Sequence, residues 1–181
     1  NITEGPKTFV ERVNVVGNSV TNDNVIRSEL ELDEGDPFSS LLLNKSVNNL
    51  KARNIFGKVK RTIYEGSSPD LKIINIEVEE KATGEIFAGA GIGSSGGSFG
   101  GGVKENNFLG RGIKLDANVN VSQTAIRGRF SVVNPNYNYT GNEIRFTAES
   151  TRTSKMTTFG YDSNKTGFSL GTTFEQYEDI F

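Results

Sequence analysis

The stretch EEKATGEIFAGAGIGSSGGSFGGGVKENNFLGRG, Glu79–Gly112, decides how this chain is read. It begins at the end of the acidic strand IEVEEK (Ile76–Lys81) and runs into alternating sequence dense in glycine. Residues 84–112 hold 11 of the 21 glycines. Sequence before the stretch mixes helical and strand periods; sequence after it alternates apolar and polar residues almost to Phe181. A helix-containing module joined directly to amphipathic strands predicts a periplasmic domain feeding a membrane β-barrel. The division falls at residues 1–82 and 83–181.

Beyond the junction, alternation can be followed residue by residue. In IKLDANVNVSQ, Ile113, Leu115, Ala117, Val119 and Val121 point one way, and Lys114, Asp116, Asn118, Asn120 and Ser122 the other. Phe130 and Val132 oppose Arg127, Arg129 and Ser131; Ile144, Phe146 and Ala148 oppose Glu143, Arg145, Thr147 and Glu149. Phe168, Leu170 and Phe174 oppose Ser169, Thr173 and Glu175. With Glu85–Gly93 and a strand near Ser98–Glu105, about six strands are expected, each near the 9–11 residues that cross a bilayer at a tilt. The same pattern suits an antiparallel sheet in water with one covered face. Two features favour lipid. No other segment is left to cover the apolar face, and the connections alternate in kind. NFLGRG and NPNYNYTGN are short, whereas STRTSKMTTFGYDSNKTG (Ser150–Gly167) reads as a long polar loop. About eight strands make the smallest workable barrel, so the expectation is an incomplete barrel within a longer protein.

The first 82 residues predict β-α-α-β-β. KTFVERVNVVGN is a strand ending at Gly17-Asn18. Thr21 is placed as N-cap of a helix through NDNVIRSELEL, stopped by Gly35 and Pro37. A second helix spans roughly Ser39–Arg53, with Leu42, Leu43, Val47 and Leu50 on one face. Strands at Phe56–Gly66 and Asp70–Lys81 follow. A three-stranded sheet with both helices on one face leaves one edge open for another strand.

Composition narrows the chemistry. The chain has 181 residues, no cysteine and no histidine, which removes thiol nucleophiles, histidine bases and the usual zinc ligands. Net charge is −2, with 11 basic and 13 acidic residues before residue 83 and 9 of each after it, so no basic patch invites nucleic acid. GIGSSG (Gly91–Gly96) matches G-x-G-x-x-G, but SFGGGVKENNF follows where a dinucleotide site needs a helix. Glu79-Glu80 and Glu178-Asp179 read as solvated charge at strand ends or turns. No catalytic residue, metal site or cofactor is expected, and an enzyme is the least favoured class.

The residues also carry a resemblance. VNVVGNSVTNDNVIRSELELDEGDPFS, LNKSVNNLKARNIFGKV and SPDLKIINIEVEEKATGEIFAGAGIGSSGG resemble the last POTRA domain and first barrel strand of the BamA family of outer-membrane assembly factors. NNFLGRG (Asn106–Gly112) and VVNPNY (Val132–Tyr137) are similar to that family's turn after strand two and the end of its strand four. The resemblance implies an α+β POTRA domain in the periplasm followed by antiparallel transmembrane β-barrel strands in the bacterial outer membrane. It implies insertion of unfolded outer-membrane proteins, whose strands pair at a lateral seam with Ile86, Phe87, Ala88, Gly89, Ala90, Gly91, Ile92 and Gly93. Glycine is a poor strand former, which suits a weak seam. Membrane lipid and accessory assembly lipoproteins are the implied partners, the latter at Glu34. A translocation or secretion pore of the same superfamily, of the two-partner or organelle-import type, is the alternative.

Overall fold

The computed structural model describes residues 7–93, 96–155 and 160–174. Two compact units appear: residues 1–82 with Leu109–Arg111, and residues 83–108 with 112–181.

The first unit holds β1 (Phe9–Val16), α1 (Asp23–Arg27), α2 (Ser40–Ala52), β2 (Phe56–Glu65) and β3 (Leu71–Glu80). β3 is central, parallel to β1 and antiparallel to β2. It takes that place because Ile74, Ile76 and Val78 alternate inward and are buried. Val10, Val13, Val25, Ile26, Leu32, Leu43, Val47, Leu50, Ile55, Phe56 and Val59 pack into the same core. Burial of each large aliphatic side chain contributes about 1.5–3 kcal/mol.

α2 starts where the sequence places it, because the Ser39 hydroxyl accepts the Leu42 N–H as an N-cap. α1 differs from expectation. Its N-cap is Asn22, whose side chain accepts the Asn24 N–H, and it ends at Arg27. The apolar spacing continues to Leu32, but that segment leaves the helix to reach other partners. The Glu31 N–H donates to the Ser46 hydroxyl on α2 at 2.8 Å. Gly35 and Pro37 therefore do not stop α1. They belong to a segment lying along the outer edge of β1, where Gly35 N–H donates to Val10 O, Val10 N–H to Asp36 O and Phe38 N–H to Thr8 O. One sheet edge is thus covered, and β2 forms the other.

The second unit is a single six-stranded antiparallel sheet in sequential order: β4 (Gly84–Gly93), β5 (Gly96–Phe108), β6 (Ile113–Ser122), β7 (Ala125–Asn134), β8 (Glu143–Lys155) and β9 (Tyr161–Thr173). The expected long loop at Ser150–Gly167 is corrected. Ser150–Lys155 and Tyr161–Gly167 pair as strand, from Ser150 opposite Thr166 to Lys155 opposite Tyr161. Their polar residues are compatible with strand because they extend the ladder beyond the apolar band. Met156–Phe159 lie outside the described residues. At the β5–β6 turn, the buried Asn107 side-chain oxygen accepts the Gly112 N–H at 2.8 Å. No helix among the described residues is long and apolar enough to cross a membrane, which says nothing about strands.

Candidate functional site

The sheet register sorts side chains onto two faces. One row runs Ala88, Gly101, Val119, Gly128, Ser150 and Thr166; the next on that face runs Ile86, Val103, Ala117, Phe130, Ala148 and Phe168. The opposite face carries the row Glu85, Lys104, Asp116, Ser131, Thr147 and Ser169. Apolar side chains therefore gather on one face. They stay exposed there: Ile86 is 86 % accessible, Ile92 94 % and Leu170 81 %. A large uncovered apolar surface marks a contact with lipid or protein.

The polar face is ordered by cross-strand bonds. Arg129 pairs with Glu149 directly opposite it at 3.4 Å. The hydroxyls of Ser131 and Thr147 share a hydrogen bond of 3.3 Å from β7 to β8, and within β6 itself Asn118 donates to Asp116 at 2.7 Å. Among the described residues no group of three or more His, Cys, Asp or Glu side chains could hold a metal ion.

β4 stands at one end of the strand order and, among the described residues, pairs only with β5. It includes all eight residues expected to pair with a substrate strand, and alternation separates them. Ile86, Ala88, Ala90 and Ile92 lie on the apolar face; Phe87, Gly89, Gly91 and Gly93 lie on the polar one. An edge strand presents a row of unpaired backbone groups, the template on which another strand can add. Within β4, Phe87 is the one large apolar side chain on the polar face. Its ring sits under the Lys104 ammonium, 5.2 Å from the ring centre, a contact that strand periodicity alone does not disclose.

Glu34 lies far from this strand in sequence and belongs to the other unit. One of its carboxylate oxygens accepts the Val13 N–H on the covered edge of β1 at 3.0 Å, while the side chain stays exposed. Sequence reading missed Glu80. Far from being simply solvated, its carboxylate accepts the N–H groups of Ser19, Val20 and Thr21 at 3.0, 2.9 and 2.6 Å and the Ser19 hydroxyl at 2.7 Å. Partial burial pushes this carboxyl up. The bonds from Thr21 and Ser19 and the Val20 backbone outweigh it and hold the group down at about 2. The one available signal was its position at the end of a strand, opposite a polar Asn-Ser-Val-Thr loop.

Residues 8–81 match the POTRA family, described as "Surface antigen variable number repeat". The chain is 27 % identical over 143 residues to the outer membrane protein assembly factor BamA of Neisseria meningitidis serogroup B, covering 78 % of this chain and 18 % of that protein. It thus spans less than a fifth of that relative's length. Its fold is similar to the crystal structure of BamA from Haemophilus ducreyi lacking POTRA domains 1–3, with a TM-score of 0.78 and 24 % identity over 90 % of this chain and 32 % of that one. CdiB from Acinetobacter baumannii is similar in fold at a TM-score of 0.61 and 12 % identity, over 92 % of this chain and 34 % of that one. Residues 8–81 are a POTRA domain, and with the sheet that follows they make this chain a BamA-like POTRA-and-barrel-strand segment.

Proposed function

We propose that the protein of which this chain is a part assembles β-barrel proteins in the bacterial outer membrane. The POTRA domain stands in the periplasm, and the sheet of β4–β9 turns its apolar face to lipid. β4 is the templating strand. An unfolded outer-membrane protein adds a strand to its free edge, using main-chain hydrogen bonds that do not depend on the client's side chains. The work is done by strand pairing, with no catalytic group, metal or cofactor.

The observation that carries this reading is the build of β4. It is an edge strand whose polar face holds Gly89, Gly91 and Gly93 and whose apolar face offers Ala88 and Ala90 between the two isoleucines. Glycine and alanine give weak side-chain pairing, so a neighbour at this edge is held mainly by backbone bonds and can be exchanged. On the POTRA domain, the exposed Glu34 is proposed as a contact for an accessory lipoprotein.

A photo-crosslinking residue at Ala90 tests the templating role. In cells accumulating a stalled barrel client, an adduct to the client's terminal strand is expected. Adducts confined to lipid or to the protein's own strands would sink it. The similarity to CdiB supports a second reading, a secretion pore of the same superfamily. That reading predicts an adduct to an extended passenger segment and no change in client insertion when the edge is blocked.

A further inference from the structure

The β4–β5 hairpin is built unevenly along its length. On its polar face, Glu85 stands opposite Lys104 and Phe87 opposite Gly102. Here side chains meet. The Lys104 ammonium lies 5.2 Å from the centre of the Phe87 ring. The ring lies across Gly102: a Cβ there would stand 2.8 Å from Phe87 Cζ, and 2.5 Å from the Ala117 carbonyl oxygen. Gly102 is therefore the gap that the ring fills. On the apolar face of the same half, Ile86 stands opposite Val103.

Past Ala88 the polar face empties. Gly89 is opposite Gly100, Gly91 opposite Ser98 and Gly93 opposite Gly96. Among the described residues a Cβ at Gly89 or Gly93 would meet nothing within 4 Å, and one at Gly91 would meet only the Ser98 hydroxyl, at 3.6 Å. On the apolar face Ala90–Phe99 is the remaining side-chain pair, since Ile92 faces Gly97. Cross-strand side-chain pairs supply much of a sheet's local stability, and glycine loses more backbone freedom than any other residue when ordered. The two halves of β4 are thus held to β5 very differently.

We infer that Phe87, clasped between Gly102 and Lys104, is a positioning residue that fixes where β4 can yield. It fastens Gly84–Ala88 to β5 and leaves Gly89–Gly93 to bend or detach. The inference rests on the reading of β4 as the templating strand and adds which part of it moves. Opening begins at Gly93 and stops at Phe87, so an arriving strand meets a short adjustable segment anchored at a defined point. The cation over the ring stabilises the clasp on a face that water can reach, where a lone phenylalanine would gain little.

Hydrogen exchange resolved to single amides, on the full-length protein in lipid nanodiscs, tests this. The amides that β4 and β5 exchange along Gly89–Gly93 are expected to exchange about tenfold faster than those along Glu85–Ala88. Phe87→Ala brings the slow group to within about threefold of the fast one, and Phe87→Trp restores the difference. Lys104→Met speeds the slow group about threefold, while Lys104→Arg leaves it unchanged. Should Phe87→Ala fail to fold, Phe87→Leu, which keeps apolar bulk without an aromatic face, is expected to behave like Lys104→Met. Even protection along β4 in the unaltered protein, or slow amides indifferent to Phe87 and Lys104, overturns the clasp. The crosslink at Ala90 reads the templating role separately. Its absence with uneven exchange removes that role and leaves the clasp standing; an adduct with even exchange does the reverse.

Discussion

The carboxylate of Glu80 accepts the Thr21 N–H at 2.6 Å across 59 residues of sequence. Glu80 is the last residue of β3, and its carboxylate closes on three consecutive backbone donors of the loop after β1. Consecutive N–H groups converging on one anion form a concave, partly positive nest. The carboxylate satisfies donors that no strand or helix uses, and so pins the loop that leads into α1.

Replacing Glu80 by Gln keeps the shape and removes the charge. Loss of about 1–2 kcal/mol of POTRA stability is expected, after allowing for solvent screening of a partly exposed group. Denaturant unfolding measures it. The acid limb gives a second reading. The folded value, about 2, lies below the ordinary 4.5, so this carboxylate's contribution is complete above about pH 4.5 and is lost as pH falls towards 2. Glu80→Gln should flatten stability across that window; an unchanged acid limb counts against the nest.

Gly17 tests the same region through its backbone. Its φ is +91°, and a Cβ there would stand 2.0 Å from the Val78 carbonyl oxygen. Gly17→Ala must either strain the turn or push β1 from β3, at a cost of about 2 kcal/mol or more. A thermal melt within a degree of the parent would contradict the packing described.

Val119 and Asn118 are adjacent on β6 and face opposite ways. Val119→Lys puts a charge on the apolar face, the side proposed to meet lipid, and is expected to cost about 2–4 kcal/mol near the bilayer midplane. Asn118→Lys, on the polar side, should cost much less. Urea titration of the protein folded into lipid vesicles compares them; equal penalties would mean the faces are assigned wrongly.

Asn107→Ala removes the acceptor of the Gly112 N–H within the β5–β6 turn. A buried donor left unpaired costs about 1–3 kcal/mol. Asn107→Asp retains the oxygen and should recover most of it. Failure of Asp to outperform Ala in the same vesicle assay would assign the effect of Asn107 to its other contacts.

Much of this architecture was legible because period and burial agree. Ile113, Leu115, Ala117, Val119 and Val121 declare both the strand and its apolar face. In α2, the Leu43–Val47–Leu50 stripe declares both the helix and the side that meets the core. Where the two signals part, the sequence misleads. Val25 through Leu32 has helical spacing, yet only Asp23–Arg27 is helix, because Glu31 bonds Ser46 and the chain then follows the edge of β1. Ser150–Gly167 is mostly polar and reads as a loop, but most of it is strand held by backbone bonds that side-chain polarity does not report. Alternation could place Phe87 on the polar face; only the register across to Gly102 and Lys104 says what it does there.

The strictly sequential order of β4–β9 also carries a timetable. Every pairing in that sheet joins a strand to its immediate successor, so each hairpin can close over a short loop without waiting for distant chain. Such a sheet can lengthen one strand at a time from either end. The POTRA sheet has no such freedom: Phe9 of β1 lies opposite Leu71 of β3, so its parallel pairing must wait for more than sixty residues of chain and pay a larger loop-closure entropy. The domain therefore completes as a unit, whereas the strands after it can be laid down in series, each leaving a fresh edge for the next.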